Sequence, residues 1–242
     1  MNRQYSIKEI ALGKNPNDPY PGCDGGDLGS PESPSIWVFG LEWGYSGKDK
    51  KQDEDGIRVY DPDYTIETQL KYDCNPKLFN VLAVMHGYHI EDTVLFANKE
   101  QPFVRGAKGY FKGNLFPLGF NNLNEWEPTE EFSDKNEYRD WMIQNRLPVI
   151  RSLIEKHKPK IFIGFGSGYQ NEKPFGLVAG VECWDEKVFY VNGNEKRILY
   201  SKKGLVDAVI IPHTAGPGGL NSYESRRICG EFIRETFLDY CR

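Results

Sequence analysis

No stretch of the chain approaches the roughly 18 consecutive apolar residues of a membrane span, and the opening MNRQYSIKEI lacks the apolar core of a secretory leader. We therefore expect a cytoplasmic protein without a membrane attachment. Cysteine is sparse: Cys23, Cys74, Cys183, Cys229 and Cys241 are odd in number and scattered, with no C-x-x-C pair to seat zinc or an iron–sulfur cluster. Reduced thiols, no metal and no cofactor are the expectation. An excess of positive charge is also missing. Lys and Arg total 30 against 35 Asp and Glu, a net charge of −5, so the field of the whole molecule does not draw polyanions toward it. Two catalytic signatures are absent as well. Gly164-Phe165-Gly166-Ser167-Gly168 is not followed by the Gly-Lys-Ser/Thr of a phosphate loop, and it carries Gly where a Gly-x-Ser-x-Gly elbow needs Ser. Nucleoside triphosphate hydrolysis and α/β-hydrolase chemistry thereby lose their main supports.

What is present is enough for a core: 242 residues, of which 39% are hydrophobic and 14% aromatic. No internal repeat or natural boundary divides them, so residues 1–242 read as a single domain. Residues 1–35 are an irregular lead-in, because prolines and glycines crowd positions 14 to 35 too densely for a regular element. Short β-branched and aromatic runs follow at Ile36–Phe39, Ile161–Ile163 and Ala208–Ile211, each ending in a Gly- or Pro-rich turn. Tyr110-Phe111 is a fourth candidate. Helical spacing appears over Pro76–Gly87, Glu137–His157 and Ser222–Tyr240, the last with Ser222 as its cap and Ser225 as a second candidate. Val188–Tyr200 turns at Asn192-Gly193 as a hairpin, and the charged residues 46–66 read as a mobile loop. Alternating strands and helices imply a three-layer α/β/α sandwich around a central, mostly parallel sheet of four strands.

Ligands of open α/β sheets bind beyond the carboxyl ends of the strands, so the turns after these runs carry the chemistry. They are Gly40-Leu41-Glu42-Trp43-Gly44, Gly113-Asn114-Leu115-Phe116-Pro117-Leu118, Gly164–Gly168, and the loop from His213 to Ser222. His86 and His89, three apart, read as a helix C-terminus rather than a metal pair.

Taken in order, these turns resemble the uracil-DNA glycosylase superfamily, closest to its single-strand-selective monofunctional type. That pattern has a G-x-N-P-G turn, an N-x-C-P-L segment and an H-P-S-P loop. The resemblance covers the chain from Ile36 to about Phe237. It departs from the pattern at Glu42, where the family has Asn or Asp, at Trp43, where it has Pro, and at Thr214, which replaces the Pro after the histidine. It implies a metal-independent and cofactor-independent enzyme, a monomer, that hydrolyses the N-glycosidic bond of uracil or a modified pyrimidine in DNA after rotating the nucleotide out of the stack. The alternative is a non-catalytic module of the same fold that binds nucleic acid, a nucleotide or a protein.

The roles implied are specific, and each has a plain structural counterpart. Glu42 would activate water, or serve a helix cap or a salt bridge. His213 would donate to a base oxygen in the transition state, or be a buried histidine satisfied by backbone. Asn114 would pair with the uracil edge, or close a turn before Pro117. Trp43, Tyr45 and Phe103 compete to stack on the base. Gly44 leaves room for 5-substituted pyrimidines where stricter relatives carry tyrosine. Gly166, Ser167, Gly168, Gly218, Gly219 and Ser222 would hold phosphates through backbone groups, with Arg226 and Arg227 adding charge. Leu220 would be the wedge that fills the vacated stack, or a staple onto the last helix.

Overall fold

The computed structural model describes residues 5–14, 23–57, 61–120, 125–166, 172–214 and 218–238. Its strands are β1 (Cys23–Gly26), β2 (Gly29–Ser30), β3 (Ser33–Pro34), β4 (Ile36–Gly40), β5 (Trp43–Gly44), β6 (Tyr110–Asn114), β7 (Gly119–Phe120), β8 (Ile161–Phe165), β9 (Asp185–Val191), β10 (Asn194–Ser201) and β11 (Ala208–Ile211). The α-helices are α1 (Ile7–Ala11), α2 (Gly47–Glu54), α3 (Ile66–Gln69), α4 (Cys74–Met85), α5 (Thr93–Glu100), α6 (Lys135–His157), α7 (Glu172–Ala179) and α8 (Tyr223–Ile233).

The four apolar runs form the middle of one sheet in the order β6-β4-β8-β11, all parallel. Burial on both faces explains why they read as continuous apolar runs. Alternate residues then separate into two cores. Ile36, Val38, Ile163 and Val209 pack toward α4, α5 and α8 with Leu78, Phe79, Phe96 and Ile233. Trp37, Phe39, Phe162 and Ile210 pack toward α6 and α7 with Tyr138, Met142, Ile150 and Phe175. Each fully buried aromatic or aliphatic side chain of this kind contributes roughly 1.5–3 kcal/mol.

The helices start where their caps dictate. The Asp134 carboxylate accepts from the amides of Asn136 and Glu137 at the head of α6, which ends at Lys158 in a left-handed conformation just before Pro159. Ser222 and Ser225 form a capping box at the head of α8.

Three expectations change. The sheet has seven strands, because β1 joins β6 and the β10-β9 hairpin joins β11, all antiparallel. The lead-in is not wholly irregular: residues 23–34 hold β1 and the small β2-β3 pair. Its glycines are what permit this. Gly26 sits at φ 93°, and a Cβ on Gly25 would run into the Phe103 carbonyl, so a side chain at either position would block the edge strand. Residues 47–54, expected as loop, form α2, started by a Ser46–Asp49 capping box and burying none of its residues. Among the described residues no helix is long and apolar enough to cross a membrane.

Candidate functional site

Parallel register brings the strand ends to one rim. Gly40 pairs with Asn114 on one side, Phe165 ends the next strand, and Ile211 pairs with Phe165 ahead of Pro212-His213. Gly40 is required here by close approach. A Cβ on it would lie 2.7 Å from Asn114 Oδ1 and 2.8 Å from Phe165 Cζ, so only glycine lets the amide and the ring close over the strand end. The Phe165 and His213 rings are 6.0 Å apart at 34°. Asn114 is 3% exposed, whereas His213 is exposed. Buried Arg146 of α6 fixes this corner by donating to the carbonyls of Asn114 (3.1 Å) and Leu115 (2.7 Å).

The turns after β4 and β6 zip together. Leu115 N–H donates to the Gly40 carbonyl and Phe116 N–H to that of Leu41, and β5 pairs with β7. Trp43 lies on Gly119, whose missing Cβ makes room for the indole, and its Nε1 donates to the Pro117 carbonyl at 3.0 Å. Tyr45 meets Trp43 edge-on at 5.2 Å and donates to Asp53 of α2. Gly44 is exposed, with open space where a Cβ would be.

Glu42 belongs to the same rim but turns toward α6. Its carboxylate, 7% exposed, accepts from Lys135 Nζ at 3.1 Å and from Arg139 Nη2 at 3.0 Å. Lys135 Nζ also sits 3.5 Å over the Phe120 ring. Burial pushes the Lys135 pKa down, against the pull of Glu42. With both oxygens engaged by cations, Glu42 is a counter-ion in this arrangement, the salt-bridge role its sequence position also allowed.

The loop after β11 is bolted from beneath. Leu220 N–H donates to the His213 carbonyl at 2.8 Å, and the Leu220 side chain is 0% exposed within the core. Leu220 is therefore not presented as a wedge, because its carbonyl is also held by Arg226 Nε and its side chain fills the α4/α8 layer. Lys196 reaches the Gly219 carbonyl and Arg226 those of Leu220 and Asn221. The Ser222 hydroxyl accepts from the Ser225 amide, so it is committed to the helix cap. Arg227 is paired with Glu224 and Glu231, which cancels the charge expected of it. Gly218 is exposed with open space around it. Gly166 is buried at φ 111°, its N–H donating to the Ile211 carbonyl. Ser167 and Gly168 lie outside the described residues.

Phe103 does not reach the rim. It is fully buried, stacked on Phe79 at 6.1 Å and edge-on to Tyr110. Phe165, which sequence reading placed in the Gly164–Gly168 turn without naming it as a stacking candidate, is the aromatic beside Asn114.

Sequence reading also missed a polar cluster on the α4 side of the rim. Lys112, two residues before Asn114 on the same strand face, is paired with Asp24 of β1, and its Nζ lies 3.4 Å from the Tyr64 hydroxyl. Asn75 donates to that hydroxyl at 2.6 Å, and Thr214 donates to Cys74 Sγ at 3.2 Å. Burial works to lower the Lys112 pKa, but Asp24 overrides it and holds the ammonium above the usual lysine range. Burial pushes Tyr64 up to about 12 and also raises Cys74, so both stay protonated at neutral pH. The only local trace in the sequence is a lysine inside the alternation Tyr110-Lys112-Asn114.

Among the described residues no group of three or more His, Cys, Asp or Glu is placed to hold a metal. A cleft of about 550 Å³ between α6, α7 and Trp184 shares no residue with the rim. No protein-family model matches the chain, and neither does any curated protein.

Proposed function

We propose that the Asn114–Phe165–His213 rim binds a pyrimidine base and that the protein is a DNA glycosylase acting on uracil or a modified pyrimidine. The observation that carries this reading is the close approach over Gly40, which sets a buried amide against an aromatic ring with an exposed imidazole beside it. Those groups answer the demands of the substrate. A flat base needs an aromatic surface. Its carbonyl and adjacent ring N–H need an amide that both donates and accepts. A base leaving with negative charge needs a donor at its oxygen. In the reaction the bond from C1′ to the base nitrogen breaks, water oxygen bonds to C1′, and the water proton is released to the base or to solvent.

Glu42 supports this reading less directly. It activates water only after exchanging Lys135 or Arg139 for the water molecule. That observation favours a second reading, a module that recognises a base without excising it.

Incubation of the protein with a single strand containing one uracil, followed by alkali, separates the two. Strand scission that falls about 100-fold or more in His213→Ala supports the glycosylase. Asn114→Asp should move activity from uracil toward cytosine, whose amino group an acceptor welcomes. Uracil-dependent binding without scission supports the module, and absence of both removes the base-recognition reading.

A further inference from the structure

Asn114 and His213 come from distant parts of the chain, yet each is tied to the same turn of one helix. On the His213 side, the next residue, Thr214, is buried and donates to the sulfur of Cys74, the first residue of α4. On the Asn114 side, Lys112 reaches the Tyr64 hydroxyl, and that hydroxyl accepts from Asn75, the second residue of α4. Tyr64 is itself firmly placed. It holds φ 51°, which is costly for a residue with a Cβ, and its carbonyl accepts from Gln69 Nε2 at 2.8 Å.

We propose that Cys74 and Tyr64 are positioning residues that set the spacing between the Asn114 amide and the His213 imidazole by anchoring both to the first turn of α4. This rests on the base-recognition reading for its purpose but not for its geometry. Cys74 acts as a neutral thiol that accepts a hydrogen bond, and no bond is made or broken at its sulfur. Lys112, held by Asp24, transmits the placement of Tyr64 to the strand that carries Asn114. A helix with most of its residues buried is a stiffer reference than the loop that carries His213, so the two groups keep their separation.

The test uses near-isosteric variants, read first by NMR and then by function. Thr214→Val removes the hydroxyl that meets Cys74, and Cys74→Ala removes its acceptor. Both should shift and broaden the His213 ring resonance, assigned among the four histidines by His213→Gln, and Cys74→Ser should restore it. Tyr64→Phe should displace the Asn114 side-chain amide resonance in a protein that still unfolds cooperatively. In excision, Thr214→Val and Tyr64→Phe should each lower kcat about tenfold or more with little change in KM. Their combined effect should be less than the product, because they act through one anchor. Unchanged His213 and Asn114 resonances in folded Thr214→Val and Tyr64→Phe would overturn the proposal. If the parent protein neither excises nor binds uracil strands, the functional reading fails, while the resonances still decide the anchor.

Discussion

Two buried ion clusters flank the rim on opposite faces of the sheet, and they differ in what they join. Lys112 and Asp24 link adjacent strands, with Asp24 at the point where the β1 register slips past β6. Glu42 links a turn to a helix, with Lys135 and Arg139 one turn apart on α6. In the strand pair the ammonium is the enclosed partner: the Lys112 side chain is 8% exposed beside the Tyr64 and Phe103 rings, while Asp24 is 24% exposed. In the helix cluster Arg139 is 29% exposed, so water can take over part of its role. The first arrangement suits a fixed wall behind Asn114, and the second suits a contact that can be exchanged.

Lys112→Met should have the largest effect, because it leaves the three-quarters-buried Asp24 carboxylate without this partner and costs about 3 kcal/mol in urea unfolding. Adding Asp24→Asn should return part of that loss. A cost below about 1 kcal/mol would show that water reaches Asp24, and the contrast between the clusters would collapse. Gly40→Ala should follow at about 2 kcal/mol, since its methyl must displace the Asn114 amide and the Phe165 ring together. Base-dependent binding should be lost with it. Glu42→Gln should cost about 1–2 kcal/mol, less than the strand pair because Arg139 can turn to solvent. Excision by this variant sharpens the comparison: a fall of orders of magnitude assigns Glu42 to the water, and an unchanged rate assigns it to the helix. Tyr45→Phe should be smallest, at about 0.5–1 kcal/mol for one hydrogen bond to Asp53, visible mainly as faster amide exchange in α2.

The same contrast marks what the sequence could reveal. Ile36–Phe39, Ile161–Ile163 and Ala208–Ile211 announce themselves because strands buried on both faces need unbroken apolar runs. Asn114, Glu42 and His213 were legible as rim residues for the same reason, each following such a run. The Lys112–Asp24 pair was not, since its partners are 88 residues apart and leave no periodic trace. β1 was hidden by the glycines that make it possible. Leu220 stayed open between wedge and staple because a lone leucine among glycines reads alike whether it points out or in, and its burial, with the bonds to Arg226 and the His213 carbonyl, decides for the core.

Helix α2 gives the molecule a handle. All its side chains lie outside the core, it follows directly on the rim turn, and its ties include the capping box, the Tyr45–Asp53 bond and the Lys50–Glu127 pair. A fluorophore attached at exposed Lys48 would therefore ride at the edge of the rim without disturbing packing. Its emission would follow occupancy of the rim in real time, whichever ligand arrives and whether or not a bond is broken.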